Sequence, residues 1–278
     1  MTKRIWFQKH TVEGRLPLLD TWYREHLKQL VGSDTEVDIH TLPRAAYPAA
    51  IPEGVVRFGA VETFFSTYFS RQALAAEAQG YDAFVIATSQ DPGLREARTL
   101  AGIPVLGYGE TAYHFAAMSG QRFAVVGFIP ELAEPLRENI TASGLAHRFV
   151  GFEYLADGAA VVGEALTGDP DRFRAAFTDS ARQAIARGAQ LLIPGEGLPN
   201  EILWHEGVTE IDGVPIVDAD GLLVKAAELM IDLTRTGVFG RSTTGYWFRR
   251  PDPSFIDHLS GVFWAPDETG NSGAAGGS

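Results

Sequence analysis

The order of elements along this 278-residue chain predicts an α/β protein built as two similar parallel-sheet halves. Three observations carry that prediction. Short, wholly apolar strands alternate with longer amphipathic helices, the pattern of parallel sheets covered on both faces. A Gly-x-Pro strand start occurs twice, as Gly102-Ile-Pro-Val-Leu106 and as Gly213-Val-Pro-Ile-Val217. Gly80 to Thr88 and Gly188 to Glu196 each span eight positions, and in both a helix-ending glycine leads through an apolar strand to a polar loop. Matching spacing of this kind points to a duplicated half-unit.

Each element follows from local chemistry. Arg4-Ile-Trp-Phe-Gln8 is a short apolar run and reads as a buried first strand. Residues 16–30 place apolar side chains at helical spacing. Val37-Asp-Ile-His-Thr-Leu42 alternates, as a strand does, and residues 45–54 are rich in Pro and Ala and read as a loop. Residues 61–79 form a long amphipathic helix stopped by Gly80. Asp82-Ala-Phe-Val-Ile-Ala-Thr88 is a continuous apolar strand, followed by the loop Ser89-Gln-Asp-Pro-Gly93 and a helix over 94–100. Residues 103–106 are the next strand and 110–118 the next helix. The second half repeats the plan, with strands at 122–126, 149–154, 190–193 and 213–217 and helices at 171–187 and 219–233. From about Val238 the alternation stops. Residues 255–264 are expected to pack as an arm on this or a neighbouring subunit. Residues 270–278, rich in Gly, Ala and Ser, are expected to be flexible. The expected division is therefore 1–118 with 219–237, then 119–218, then a C-terminal arm and tail over 238–278.

Composition narrows the function. The net charge of −12 disfavours nucleic acid and anionic membranes as partners. The N-terminus lacks the long apolar core and small-residue cleavage site of a signal peptide. No window approaches a membrane-spanning length, so a cytoplasmic protein is expected. With no cysteine anywhere, disulfides, thiolate metal sites and cysteine nucleophiles are excluded. The seven histidines show no zinc-like pairing, and neither a G-x-G-x-x-G nor a P-loop is present. The absence of a G-x-S-x-G elbow weakens an ordinary α/β-hydrolase reading.

Ligands of open parallel α/β sheets bind beyond the carboxyl ends of the strands. That rule selects Thr88-Ser-Gln-Asp-Pro-Gly93 and Pro194-Gly-Glu-Gly-Leu-Pro199, with Gln8 and the residues after it as a third contributor. Glu196 sits between Gly195 and Gly197, which permit close approach of a ligand. A carboxylate there can act as general acid or base once partly desolvated; it is equally explained as a helix cap. Thr88, Ser89 and Gln90 are three hydrogen-bonding side chains in a row, suited to cradle a carboxylate or an oxyanion. Capping competes there too, since Ser89 or Asp91 before Pro92 is a common helix start. Glu110, Tyr113 and His114 follow a strand of the first half. His10 follows Gln8 at the mouth of the expected cleft. Trp6, Phe7, Tyr108, Tyr113 and Phe128 are candidate aromatic lining, each with a core-packing alternative.

Several of these segments resemble the hydantoin racemases. The run Tyr81-Asp-Ala-Phe-Val-Ile-Ala-Thr-Ser-Gln-Asp-Pro-Gly-Leu94 is similar to their first active-site segment, and Leu191-Leu-Ile-Pro-Gly-Glu-Gly-Leu198 to their second. Ile103 to Ala112, Gln121 to Val126 and the opening Arg4 to Gln8 extend the likeness, which spans roughly residues 4–235. The resemblance places the chain in the aspartate/glutamate racemase superfamily. It implies two pseudosymmetric Rossmann-like (flavodoxin-like) parallel-sheet domains with the active site in the cleft between them. It also implies no cofactor and a small-molecule substrate. A homo-oligomer is expected, because even-numbered assemblies are common among soluble enzymes.

In that family two cysteines, one from each half, remove and return a proton on opposite faces of the substrate's α-carbon. Those places fall on Thr88 and Glu196 in this sequence. A threonine hydroxyl is a poor acid or base near neutrality, whereas a glutamate serves readily. Three readings follow. One is an isomerase or lyase in which Glu196 is the acid/base, with Thr88, Ser89 and Gln90 as cradle and Gln8, Gly195, Gly197, Glu110, Tyr108 and Phe128 around the substrate. Another is a hydrolase in which Glu196 activates water, Thr88 or Ser89 to open a lactam, lactone or imide. The last is an inactive member that binds a small ligand.

Overall fold

The computed structural model describes residues 2–263. Two parallel sheets form its frame. In chain order the first part contains β1 (Lys3–Val12), α1 (Pro17–Leu30), β2 (Thr35–Leu42), α2 (Glu53–Val56), α3 (Gly59–Ala78), β3 (Ala83–Ala87), α4 (Leu94–Leu100), β4 (Val105–Gly107) and α5 (Tyr108–Ser119). The second part contains β5 (Phe123–Gly127), α6 (Ala133–Ala142), β6 (Phe149–Tyr154), α7 (Gly158–Ala165), α8 (Asp171–Ala186), β7 (Leu191–Pro194), α9 (Gly197–His205), β8 (Glu210–Ile211) and β9 (Val214–Pro215). Two helices complete the chain, α10 (Ala219–Arg235) and α11 (Pro253–Phe263).

The first sheet has the order β2-β1-β3-β4 and the second β6-β5-β7, all parallel. A single parallel bridge, Leu192 to Ile216, extends the second sheet where β4 extends the first. The two orders thus correspond strand for strand, as the repeated spacing predicts. The expected strand at 213–217 is a correction. Most of that segment turns into an antiparallel hairpin of β8 with β9 instead. Asp212 and Gly213 both have positive φ, 49° and 79°, as a two-residue hairpin turn requires. β1 is also longer than its apolar run suggests, because its polar end, Lys9 to Val12, stays buried.

Strands buried on both faces explain the continuous apolar runs Ala83–Ala87 and Leu191–Pro194. Ile5, Phe7 and Val85 of the first sheet join Phe123, Val125 and Leu192 of the second in one core cluster. Trp6, Phe84 and Ile86, on the opposite face of the first sheet, pack on Phe69 and Ala73 of α3. α10 returns from the second part to pack on β1, β3, β4 and α5. After it the chain is irregular until α11, whose Phe255, Val262 and Phe263 are exposed. Among the described residues no helix is long and apolar enough to cross a membrane. Trp264 and the Gly270–Ser278 tail lie outside the described residues.

Candidate active site

The loops after β3 and β7 meet at one cleft between the two sheets. Thr88, Gln90, Phe128, Glu196 and Gly197 line one cavity there, together with Lys9, His10 and Tyr23. The cavity is narrow, about 40 Å³ in volume, and opens to solvent.

Glu196 occupies the N-cap position of α9, but its side chain makes no capping hydrogen bond to that helix. It turns instead to the carboxyl end of β5. There the Phe128 N–H donates to both carboxyl oxygens (3.3 and 3.1 Å), and the Ile129 N–H donates to Oε1 (3.3 Å). Two glycines make room for this. A Cβ on Gly127 would stand 2.9 Å from Glu196 Oε1, and one on Gly195 would stand 2.8 Å from the Gly127 Cα. Burial pushes the Glu196 carboxyl up to about 8, against the opposing pull of the two N–H groups. Such a group exchanges protons near neutral pH in either direction.

The opposite wall is polar and uncharged at Thr88 and Gln90. The Thr88 hydroxyl donates to Gln90 Oε1 at 2.8 Å, and Asn139 Nδ2 holds the Gln90 carbonyl at 2.7 Å. Asp91, with φ of 51°, faces away from this wall. It does not cap α4, whose N-cap is Gly93. It caps α5, accepting from the N–H groups of Gly109 (3.0 Å) and Glu110 (2.7 Å). Burial raises Asp91 to about 8 as well.

Other expected residues stand elsewhere. Gln8 is fully buried beside the cleft, accepting from the Trp6 indole N–H and donating to the Lys9 carbonyl. The Ser89 hydroxyl is buried and has no partner among the described residues. Tyr108 donates its hydroxyl to the Pro194 carbonyl at 2.9 Å and so ties α5 to β7. Glu110 pairs with Arg98 on another surface, and that ion pair helps keep its carboxyl below the ordinary range despite burial. Gln8, Ser89, Glu110 and Tyr108 are therefore not brought to the cavity wall, whereas Thr88, Gln90, Phe128, Glu196 and Gly197 are.

The sequence reading takes in Lys9 only among the residues after Gln8, without singling it out, and it passes over Tyr23. Lys9 is 1% exposed, pairs with Asp20, and lies 4.7 Å over the Tyr23 ring. Burial lowers its pKa, outweighing the opposite pull of Asp20. The Tyr23 hydroxyl donates to Asp220 at 3.2 Å. A charged network lies directly behind. His26 contacts Glu201 at 2.7 Å and Asp218 at 2.8 Å. Its burial favours the neutral form, but the two carboxylates outweigh it and hold His26 up to about 10. Burial, with Glu201 and Asp218 nearby, raises Asp220 well above the ordinary carboxyl range. Among the described residues no three His, Asp or Glu side chains are grouped so as to hold a metal ion.

Comparison with known proteins shows the family and the fold. Residues 23–227 match the family described as Asp/Glu/Hydantoin racemase. A hydantoin racemase of Rhizobium meliloti is 29% identical over 193 residues, covering 69% of this chain and 77% of the relative. One from Pseudomonas sp. (strain NS671) is 27% identical over 179 residues, covering 62% and 70%. Among solved structures, allantoin racemase from Klebsiella pneumoniae superposes with a TM-score of 0.70 at 21% identity, over 90% of this chain and 94% of that one. Allantoin racemase from Pseudomonas fluorescens gives 0.65 at 23%, over 90% and 97%. These likenesses establish the shared fold. The family match takes in both loops that meet at the cleft, and the chain belongs to the Asp/Glu/hydantoin racemase family.

Proposed function

We propose that this protein is a racemase-type isomerase that moves a proton at the carbon next to a carbonyl in a small cyclic amide. The supporting observation is the buried Glu196 carboxyl, anchored on the N–H groups of Phe128 and Ile129 inside a cavity shared with Thr88 and Gln90. Glu196 in its ionised form takes the proton. As the proton leaves, negative charge develops on the carbonyl oxygen of the substrate. A donor aimed at that oxygen lowers the barrier. The Thr88 hydroxyl fills this role by swinging from Gln90 Oε1 to the substrate. A proton added to the opposite face of the planar enolate completes the inversion, and for the reverse enantiomer the protonated Glu196, with its pKa near 8, is the donor. The hydrolase reading has less support, because the Thr88 hydroxyl faces an amide oxygen and not a base.

The names of the relatives suggest a five-membered ring with one exchangeable C–H. D- and L-5-benzylhydantoin, incubated separately in D2O with the protein, test the assignment. The expected result is loss of optical activity with a mass gain of one deuterium. A mass gain of one water, or no exchange above the enzyme-free blank with either enantiomer, overturns it.

A further inference from the structure

Lys9 is an ionisable residue of the cleft that takes no part in the proton transfers assigned to Glu196. Lys9 ends the core part of β1, where it pairs in register with Ala87, the residue before Thr88. Although only 1% exposed, it borders the same cavity as Thr88 and Glu196. Taking an ammonium group out of water is costly, and apolar residues of similar volume commonly fill such sites at no loss of stability. A buried lysine bordering a cavity therefore calls for a role beyond packing.

Its surroundings tie it to Glu196 through Tyr23. Lys9 Nζ stands over the ring of Tyr23, and the hydroxyl at the far end of that ring packs on the loop carrying Glu196. A Cβ on Gly197 would be only 2.7 Å from that hydroxyl. The groups acting on Lys9 are Asp20 from α1, Glu201 from α9 and Asp220 from α10. Asp20 is in direct contact with it. Lys9 comes from the first sheet and Glu196 from the second, so each wall of the cleft contributes one group able to carry a proton.

From this arrangement we infer that Lys9 is the second proton carrier of the site, serving one face of the substrate carbon while Glu196 serves the other. The inference rests on the isomerase reading and assigns Thr88 to hydrogen bonding alone. The protons balance. With one enantiomer the Glu196 carboxylate removes the proton of the substrate carbon, and the C–H electron pair moves into the enolate. The Lys9 ammonium then delivers a proton to the opposite face, leaving a neutral amine and a neutral carboxylic acid. With the other enantiomer the amine removes the proton and the acid returns one. The two resting forms differ only in which group holds a single proton. Burial moves the carboxyl up and the ammonium down, which brings those two forms closer in energy.

Deuterium exchange separates this role from a structural one. In D2O the wild type is expected to exchange and invert both enantiomers of 5-benzylhydantoin. Lys9→Met is expected to lose at least about a hundredfold in inversion while still exchanging the enantiomer that Glu196 deprotonates. Glu196→Gln is expected to retain exchange of the other enantiomer only. Added methylamine restores inversion to Lys9→Ala. If Lys9→Met does not fold, Lys9→Arg keeps the charge beside Asp20, does not give up its proton and carries the same expectation. Equal loss of exchange with both enantiomers in a folded Lys9 variant, or inversion at the wild-type rate, overturns the role of Lys9 and leaves the isomerase reading standing. A wild type that exchanges neither enantiomer overturns both.

Discussion

Replacing Glu196 by Gln separates stability from activity in a way that depends on pH. The carboxyl has an ordinary value of 4.5 and is raised to about 8 by burial. A raised folded-state pKa means that the folded protein binds the proton more tightly than the unfolded chain. The associated stability is complete below pH 4.5 and is lost as pH rises through about 8. At about 1.4 kcal/mol per pH unit, the loss is about 1 kcal/mol at pH 5, about 3 at pH 7 and between 4 and 5, roughly, at pH 8.5. Glutamine escapes this loss. It leaves one hydrogen bond worse, because its amide NH2 must replace an oxygen that accepts from the Phe128 N–H. That mismatch costs roughly 1–3 kcal/mol at any pH. The variant is therefore expected to be equal to or less stable than the wild type at pH 5 and more stable by roughly 1–4 kcal/mol at pH 8.5. Urea unfolding at the two pH values measures the difference. Racemisation is expected to fall by about 10²–10⁴-fold. In the wild type the base form of Glu196 is only about a tenth populated at pH 7, so the rate of the step in which it takes a proton rises with pH through about 8. A stability difference that does not change between pH 5 and 8.5 refutes the assigned titration, and unchanged turnover in Glu196→Gln refutes its role.

Three further outcomes follow from the same geometry. Gly195→Ala sets a Cβ against the backbone of Gly127 at 2.8 Å. It is expected to cost roughly 1–3 kcal/mol by thermal unfolding and to displace Glu196, lowering turnover as well. Asp91→Ala removes the acceptor for two N–H groups of α5 and is expected to destabilise by roughly 1–3 kcal/mol, with Asp91→Asn milder because it retains an acceptor oxygen. His26→Gln leaves Glu201 and Asp218 without their cation, at an expected cost of roughly 3–5 kcal/mol. The wild-type advantage at His26 is complete below pH 6.5 and fades as pH rises through about 10, which a pH series of unfolding curves reads directly.

Much of the frame is legible from local pattern. Apolar strands such as 83–87 and amphipathic helices such as 219–235 announce themselves by period, and the rule of strand carboxyl ends finds both loops of the cleft. What local pattern does not carry is the long-range partner of a side chain. Glu196 at a helix start looks like a cap, and only the contact with Phe128, 68 residues away, shows that it is not one. Asp91 is likewise a cap for a distant helix and not for its neighbour. Lys9 is not singled out among the residues after Gln8 because Lys-His-Thr after an apolar run resembles a strand emerging into solvent, whereas the cleft keeps that end of β1 buried. The hairpin at 210–215 was within reach, since Asp212-Gly213 between apolar residues is a strong turn signal. The Gly-x-Pro echo pointed elsewhere, and only Ile216 keeps the expected pairing.

The return of α10 to the first sheet has a consequence for biosynthesis. Ala219, Leu223, Val224, Ala227 and Ile231 bury themselves in the shared core, and α10 lies on strands whose residues leave the ribosome more than a hundred positions earlier. Until Arg235 emerges, part of β1, β3 and β4 stays uncovered, so the first sheet to be synthesised is the last to be completed. Contacts of such separation slow folding and prolong the exposure of apolar strands. The wall carrying Lys9 and Thr88 thus takes its final shape only after the wall carrying Glu196 has been made.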